Sequence, residues 1–135
     1  MNKILWVSLA LALTAGNVHA GSVVVAANSK AEPMDAEAVR RVFLGRENTL
    51  AGARALVVYQ KDGPVREAFD KTVLGKSGAE LTTYWSRLIF TGKAKAPAER
   101  SGDAAIKAEV AATPGAIGYI SDAAVDATVK VLHKF

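Results

Sequence analysis

The chain has no cysteine. That excludes disulfides, thiolate chemistry and cysteine-held zinc, and it leaves packing alone to stabilise the fold. Of the two histidines, only His133 lies beyond the first twenty residues. A histidine-based metal cluster or catalytic triad therefore lacks its members, and no Ser–Lys pair at catalytic spacing replaces them. No stripe of one charge is present either. Lys and Arg (17) are interleaved with Asp and Glu (13), so the net charge of +4 favours anionic partners only weakly. It offers no nucleic-acid-binding face. Internal repeats, heptads and low-complexity segments are missing too. These absences argue against an enzyme and call for no cofactor and no metal.

What is present begins at the amino terminus. Met-Asn-Lys precedes a nearly unbroken apolar run from Ile4 to Ala15, and Val18-His19-Ala20 supplies a small-x-small pattern. This is the layout of a secretory signal peptide, with cleavage expected after Ala20. The run is too short for a permanent membrane-spanning helix, and with no cysteine to modify, a lipoprotein anchor is excluded. Residues 1–20 are therefore expected to be a signal peptide and 21–135 one small domain, periplasmic or secreted. Loss of Lys3 lowers the formal charge to about +3.

Strand and helix signals then alternate. Ser22 to Ala27 is a β-branched run of the kind buried on both sheet faces. Asp35 is placed as an N-cap for a helix carrying Val39, Val42 and Phe43 at helical spacing, with Gly45 as its left-handed stop. Ala55 to Tyr59 is a second strand. Asp62-Gly63-Pro64 opens a helix, with Asp62 able to cap and Pro64 tolerated in the first turn. Ser77-Gly78-Ala79-Glu80 has capping-box spacing and starts a helix with Leu81, Tyr84, Trp85, Leu88 and Ile89 on one wide apolar face. Thr91 to Gly102 reads as a polar loop, Asp103 as the cap of another helix, Ala116 to Ile120 as a third strand and Thr128 to Leu132 as a fourth. The order predicts an α/β domain of three layers around a small, mostly parallel sheet.

Two short stretches carry a resemblance. Val42-Phe43-Leu44-Gly45-Arg46 closes the first helix, and Thr113-Pro114-Gly115-Ala116-Ile117-Gly118-Tyr119 enters the third strand. With Gln60-Lys61-Asp62-Gly63-Pro64-Val65-Arg66 and Trp85 between them, in that order, the chain resembles the phosphate-type substrate-binding proteins of bacterial ABC importers. The similarity covers nearly all of residues 21–135. It implies a periplasmic-binding-protein-like fold of which this chain is a single lobe, and phosphate or another small oxyanion as ligand. It also implies that the region contributing the family's first ligand-binding loop has no counterpart. At the family's remaining loop, its arginine falls on Gln60 and its Ser-Gly-Thr falls on Pro64, Val65 and Arg66. The hydroxyls are gone and Pro64 removes an N–H donor, while Arg66 brings a new fork of donors.

Candidate ligand-binding residues follow. Asp62, Gly63 and Arg66 form either an anion pocket at a helix N-terminus or a plain cap with a solvated arginine. Asn28 and Ser29 stand at the carboxyl end of the first strand, where open α/β sheets favour ligands, or are simply a turn. Ser101, between Arg100 and Gly102, is either part of an anion nest or a loop residue. Trp85 and Tyr119 read as core, with the Tyr119 hydroxyl free to meet a partner. Two functions compete: an exported oxyanion-binding protein, or an envelope protein-interaction module that kept the fold without the ligand, with an apolar patch beside Trp85 as its surface. For the first, a homodimer could rebuild the missing wall.

Overall fold

Val23, Val24 and Val25 are all buried, yet they serve two different cores. Val23 and Val25 join a cluster with Phe43, Tyr59, Phe69, Leu81 and Tyr119; Val24 joins Val58, Ile106, Val110 and Ile120. A strand whose alternate side chains meet apolar layers on opposite faces must lie inside a sandwich. A computed structural model shows that sandwich. It describes residues 19–135, so the apolar run and most of the expected signal peptide lie outside the described residues.

In chain order the elements are β1 (Gly21–Ala26), α1 (Ala36–Phe43), β2 (Thr49–Leu50), β3 (Ala53–Arg54), β4 (Leu56–Gln60), α2 (Pro64–Phe69), α3 (Gly78–Phe90), β5 (Ala98–Arg100), α4 (Asp103–Ala112), β6 (Ala116–Ser121) and β7 (Val129–Lys134). A π turn, Asp70–Leu74, extends α2, and a 3₁₀ turn, Asp122–Ala124, follows β6. The main sheet has the order β5-β4-β6-β1-β7. Strands β5, β4 and β6 are parallel, whereas β1 runs against both of its neighbours, β6 and β7. Four of five strands thus share one direction and β1 alone opposes them. Helix α4 packs on one face of the sheet, and α1, α2 and α3 lie on the other.

Local chemistry explains most boundaries. Asp35 caps α1 through the Ala38 N–H at 2.8 Å, and Gly45, at φ +72°, ends the turn. Ser77 and Glu80 form the reciprocal capping box of α3. Two expected caps are corrected. Gly63 and Gly102, at φ +96° and +88°, hold the N-cap positions of α2 and α4, so neither Asp62 nor Asp103 is a cap. The expected loop Thr91 to Gly102 contains edge strand β5, and the hairpin β2–β3 turns through Ala51 and Gly52, both at positive φ.

Aromatic rings fill the space between α1, α2 and the sheet. Phe69 stacks on Tyr119 with centroids 3.9 Å apart, and Phe43 meets Tyr59, Phe69 and Tyr119 edge-on or tilted. Tyr59 donates to the carbonyl of Phe43 at 2.5 Å and Tyr84 to that of Leu44 at 2.6 Å, so hydroxyls fasten the end of α1. The terminal residue Phe135 pairs with Gly21, N–H to carbonyl in both directions at 3.1 and 2.9 Å.

Both glycines of Pro-Gly-Ala-Ile-Gly-Tyr are required by close approach. A Cβ on Gly118 would lie 2.8 Å from Ile106 Cγ2, so this glycine lets α4 sit tight against β6. A Cβ on Gly115, at φ +82°, would lie 2.4 Å from the Arg54 carbonyl oxygen. Gly115→Ala is expected to cost about 2 kcal/mol or more in urea unfolding, combining left-handed strain with a backbone clash. Gly52→Ala, at φ +80° but in open space, is expected to cost only about 1 kcal/mol. Equal losses would show that the contact with Arg54 contributes nothing.

Candidate functional site

Strands β4, β5 and β6 all end at the same edge of the sheet, with Gln60 opposite Arg100 and the β6 end, Ser121, opposite Gly21. Helix α2 starts here after β4, and α4 starts after β5. Of the expected ligand residues, Asp62, Gly63 and Arg66 meet here, in an open groove of about 830 Å³ that reaches the start of α3. Ser101 follows the end of β5 at the same edge of the sheet. It is exposed and does not line the groove. Asn28 and Ser29 are elsewhere. Because β1 runs antiparallel, its carboxyl end is at the opposite edge of the sheet. There the Ser29 hydroxyl closes a turn by accepting from the Ala31 N–H, and its carbonyl accepts from Lys130. That pair is a turn well away from the groove.

Arg66 is the centre of the site. One turn into α2, its side chain is only 17% exposed. Nε donates to Asp70 Oδ2 at 2.9 Å, and Nη1 donates to the Gln60 carbonyl at 2.6 Å. Glu99 stands 3.5 Å from Nη1, and the guanidinium lies over the Tyr59 ring, 5.0 Å from its centroid. Burial works against the charge, but the hydrogen bond to Asp70 and the nearby carboxylates outweigh it and hold the arginine above its usual pKa. Its i, i+4 partner Asp70 is 6% exposed, and its Oδ1 finds no partner among the described residues. Burial pushes the Asp70 carboxyl above its usual range despite Arg66.

Gln60 occupies the position that the family resemblance gives to an arginine. Its side chain is turned inward. The amide nitrogen donates to Asp103 Oδ1 at 2.6 Å and to the Tyr119 carbonyl at 3.1 Å, while its backbone N–H donates to the Tyr119 hydroxyl at 3.1 Å. The Tyr119 hydroxyl is therefore engaged inside the fold rather than free for a partner. Asp103 also accepts from the Ser121 N–H at 3.0 Å and from the Ser121 hydroxyl. This cluster, Gln60–Asp103–Ser121–Tyr119, was not legible as a unit in sequence, because its members lie on β4, α4 and β6.

Donors and charges face the groove in equal measure. Among the described residues no acceptor is bound to the N–H groups of Gly63 and Arg66, which line the groove at the start of α2. Lys61, Lys71 and Lys76 add three cations to Arg66 along the walls. Against these stand Asp62, Glu67, Asp70 and Glu99. The arrangement can pair charge with a small anion, but it has no proton-transfer pair beside a nucleophile.

No protein-family model and no curated protein matches the chain. Solved structures do. A Clostridium perfringens protein described as a phosphate ABC transporter substrate-binding protein, solved with phosphate bound, superposes with a TM-score of 0.66 at 22% identity, covering 84% of this chain and 44% of its own. An ABC-type phosphate transport receptor from Vibrio cholerae superposes at 0.67 and 16% identity, covering 85% and 46%. PstS from Borrelia burgdorferi gives 0.53 and 13%, covering 84% and 46%. The chain spans less than half the length of each. The likeness shows the fold, that of the phosphate-type periplasmic binding proteins at the size of a single lobe.

Asp103 gives the site a pH signature. Burial raises its pKa, but the bonds from Ser121 and Gln60 prevail and hold the carboxyl below its usual range. Its folded value lies under the unfolded one, so its contribution is complete above pH ~4 and vanishes as pH falls through the folded value. Asp103→Ala is expected to lose about 1–3 kcal/mol at neutral pH. In urea unfolding the gap to the wild type should narrow as the pH is taken below ~4. A gap that stays constant with pH would mean that the ionised carboxylate is not what binds Ser121 and Gln60.

Proposed function

We propose that this chain is an exported, non-catalytic binding protein whose groove takes a small oxyanion, phosphate by kinship of fold, against Arg66. One observation carries the reading. Arg66 and Gly63, whose backbone N–H groups have no acceptor among the described residues, line one groove at the carboxyl edge of β4 and β5, in a chain with the fold of proteins described as phosphate receptors. Backbone N–H groups and a guanidinium together are the standard means of holding an oxyanion. Asp62, Gly63 and Arg66 are the ligand residues of this proposal, with Ser101 at the margin. The apolar run before Ala20 supports export. As in the fold neighbours, whose names attach them to ABC transport, the natural partner of such a protein is a membrane component of the envelope.

The groove is open and carries four carboxylates beside its four cations. Desolvation of the anion is therefore poorly compensated, and an affinity on the order of 0.1–1 mM is expected. The same balance, with Arg66 already bonded to Asp70 and Gln60, favours a second reading: an envelope interaction module that has retained the lobe and given up the ligand.

Isothermal titration with phosphate, sulfate and a dicarboxylate separates the two. Arg66→Ala alone strands a buried carboxylate, so Arg66→Ala with Asp70→Asn is the variant of choice. The oxyanion reading expects saturable heat with phosphate that disappears in this double variant while its circular dichroism is unchanged. Absence of heat at millimolar anion, or heat indifferent to the double substitution, sinks that reading and leaves the second.

A further inference from the structure

The last turn of α3 makes a second surface with its own character. Phe90 is 93% exposed and Ile89 44%. Water contact over a whole benzyl side chain is costly, and the other three phenylalanines, Phe43, Phe69 and Phe135, are all buried. Directly beside this projection lies a recess of about 430 Å³, walled by Tyr59, Trp85, Ile89 and Pro97 and rimmed by Arg66 and Glu99. Ser86, one helical turn before Phe90 on the same stripe of α3, lines the recess together with Ile89. The projection and the recess are thus parts of one continuous face.

A knob and a hole on the same face are what a two-fold, isologous contact requires, because each copy must offer both halves of the fit. Charge agrees with shape. Phe90 is flanked in sequence by exposed Arg87 and Lys93, whereas Glu99, at the recess rim, is about half exposed. When knob enters hole, these cations approach Glu99, the exposed charge of a rim whose other charge, Arg66, is largely buried and bonded to Asp70. We infer that the protein pairs with a second copy of itself through this face, Phe90 of each protomer seated in the Trp85–Pro97 recess of the other. The partner copy then contributes a wall beside Arg66, which a single copy leaves open. The inference rests on the surface alone and holds whether or not an anion enters the groove on the other side of Arg66.

Sedimentation equilibrium in phosphate-free buffer, from low micromolar to submillimolar protein, tests it. A reversible monomer–dimer equilibrium is expected. Phe90→Ala should weaken it at least ~10-fold, since each substitution is felt twice across a two-fold axis. Ala96→Arg, at an exposed position on the recess lining, should weaken it independently without touching the knob. A photoreactive phenylalanine analogue at position 90 should crosslink to the peptide containing Trp85 or Pro97 of the other copy. A protein that stays monomeric over the whole range, a dimer unmoved by both substitutions, or crosslinks to any other surface overturns the inference.

Discussion

The inward turn of Gln60 organises this molecule. One buried amide, with its own backbone, connects the end of β4 to β6 through Tyr119, to α4 through Asp103, and to α2 through Arg66. All of these are polar groups that the interior could not tolerate unpaired. Because they satisfy one another, the carboxyl edge of the sheet is held by side-chain bonds as well as by strand pairing. The position of Arg66 follows from it: a guanidinium that donates to the Gln60 carbonyl and to Asp70 can move neither far into the groove nor far out of it. The site is thus a by-product of the architecture, with one arginine held at its mouth and its four cations, that arginine included, matched by four carboxylates.

Much of the fold was legible because local rules and global packing agreed. Asp35 and Gly45 bracket α1, and Ser77 with Glu80 opens α3, as their chemistry requires. The errors have physical causes. Asp62 and Asp103 obey the compositional rule for caps, but each neighbours a glycine free to take positive φ, and the glycine won the position. Asp103 was then available to bind Gln60 and Ser121. Strand β5 is three residues long and two of them are charged, so pattern could not separate it from loop. Direction was the costliest omission. Nothing in Ser22 to Ala27 encodes that β1 runs against its neighbours, and that single fact moves Asn28 and Ser29 to the far end of the sheet. Asp62, Gly63 and Arg66, by contrast, sit where a parallel strand followed by a helix must place them.

The most recognisable stretch of the chain, Pro-Gly-Ala-Ile-Gly-Tyr, belongs to packing. Gly118 admits α4, Gly115 passes the Arg54 carbonyl, Ile117 fills the core and Tyr119 stacks on Phe69. A motif of this kind reports the fold faithfully and the ligand not at all. Residues that hold the core are constrained by dense contact on every side; residues at a groove mouth are constrained only by what enters it.

The mutual hydrogen bonds between Gly21 and Phe135 have a topological consequence. The start of β1 at Gly21 and Phe135, just past β7, stand opposite one another on neighbouring strands, so the described domain is closed as a ring in all but covalent bond. A chain that leaves at Phe135 can re-enter at Gly21 after spanning little more than the gap between two strands, which suits the lobe to circular permutation, or to insertion as a guest within a loop of another protein without parting any of its layers.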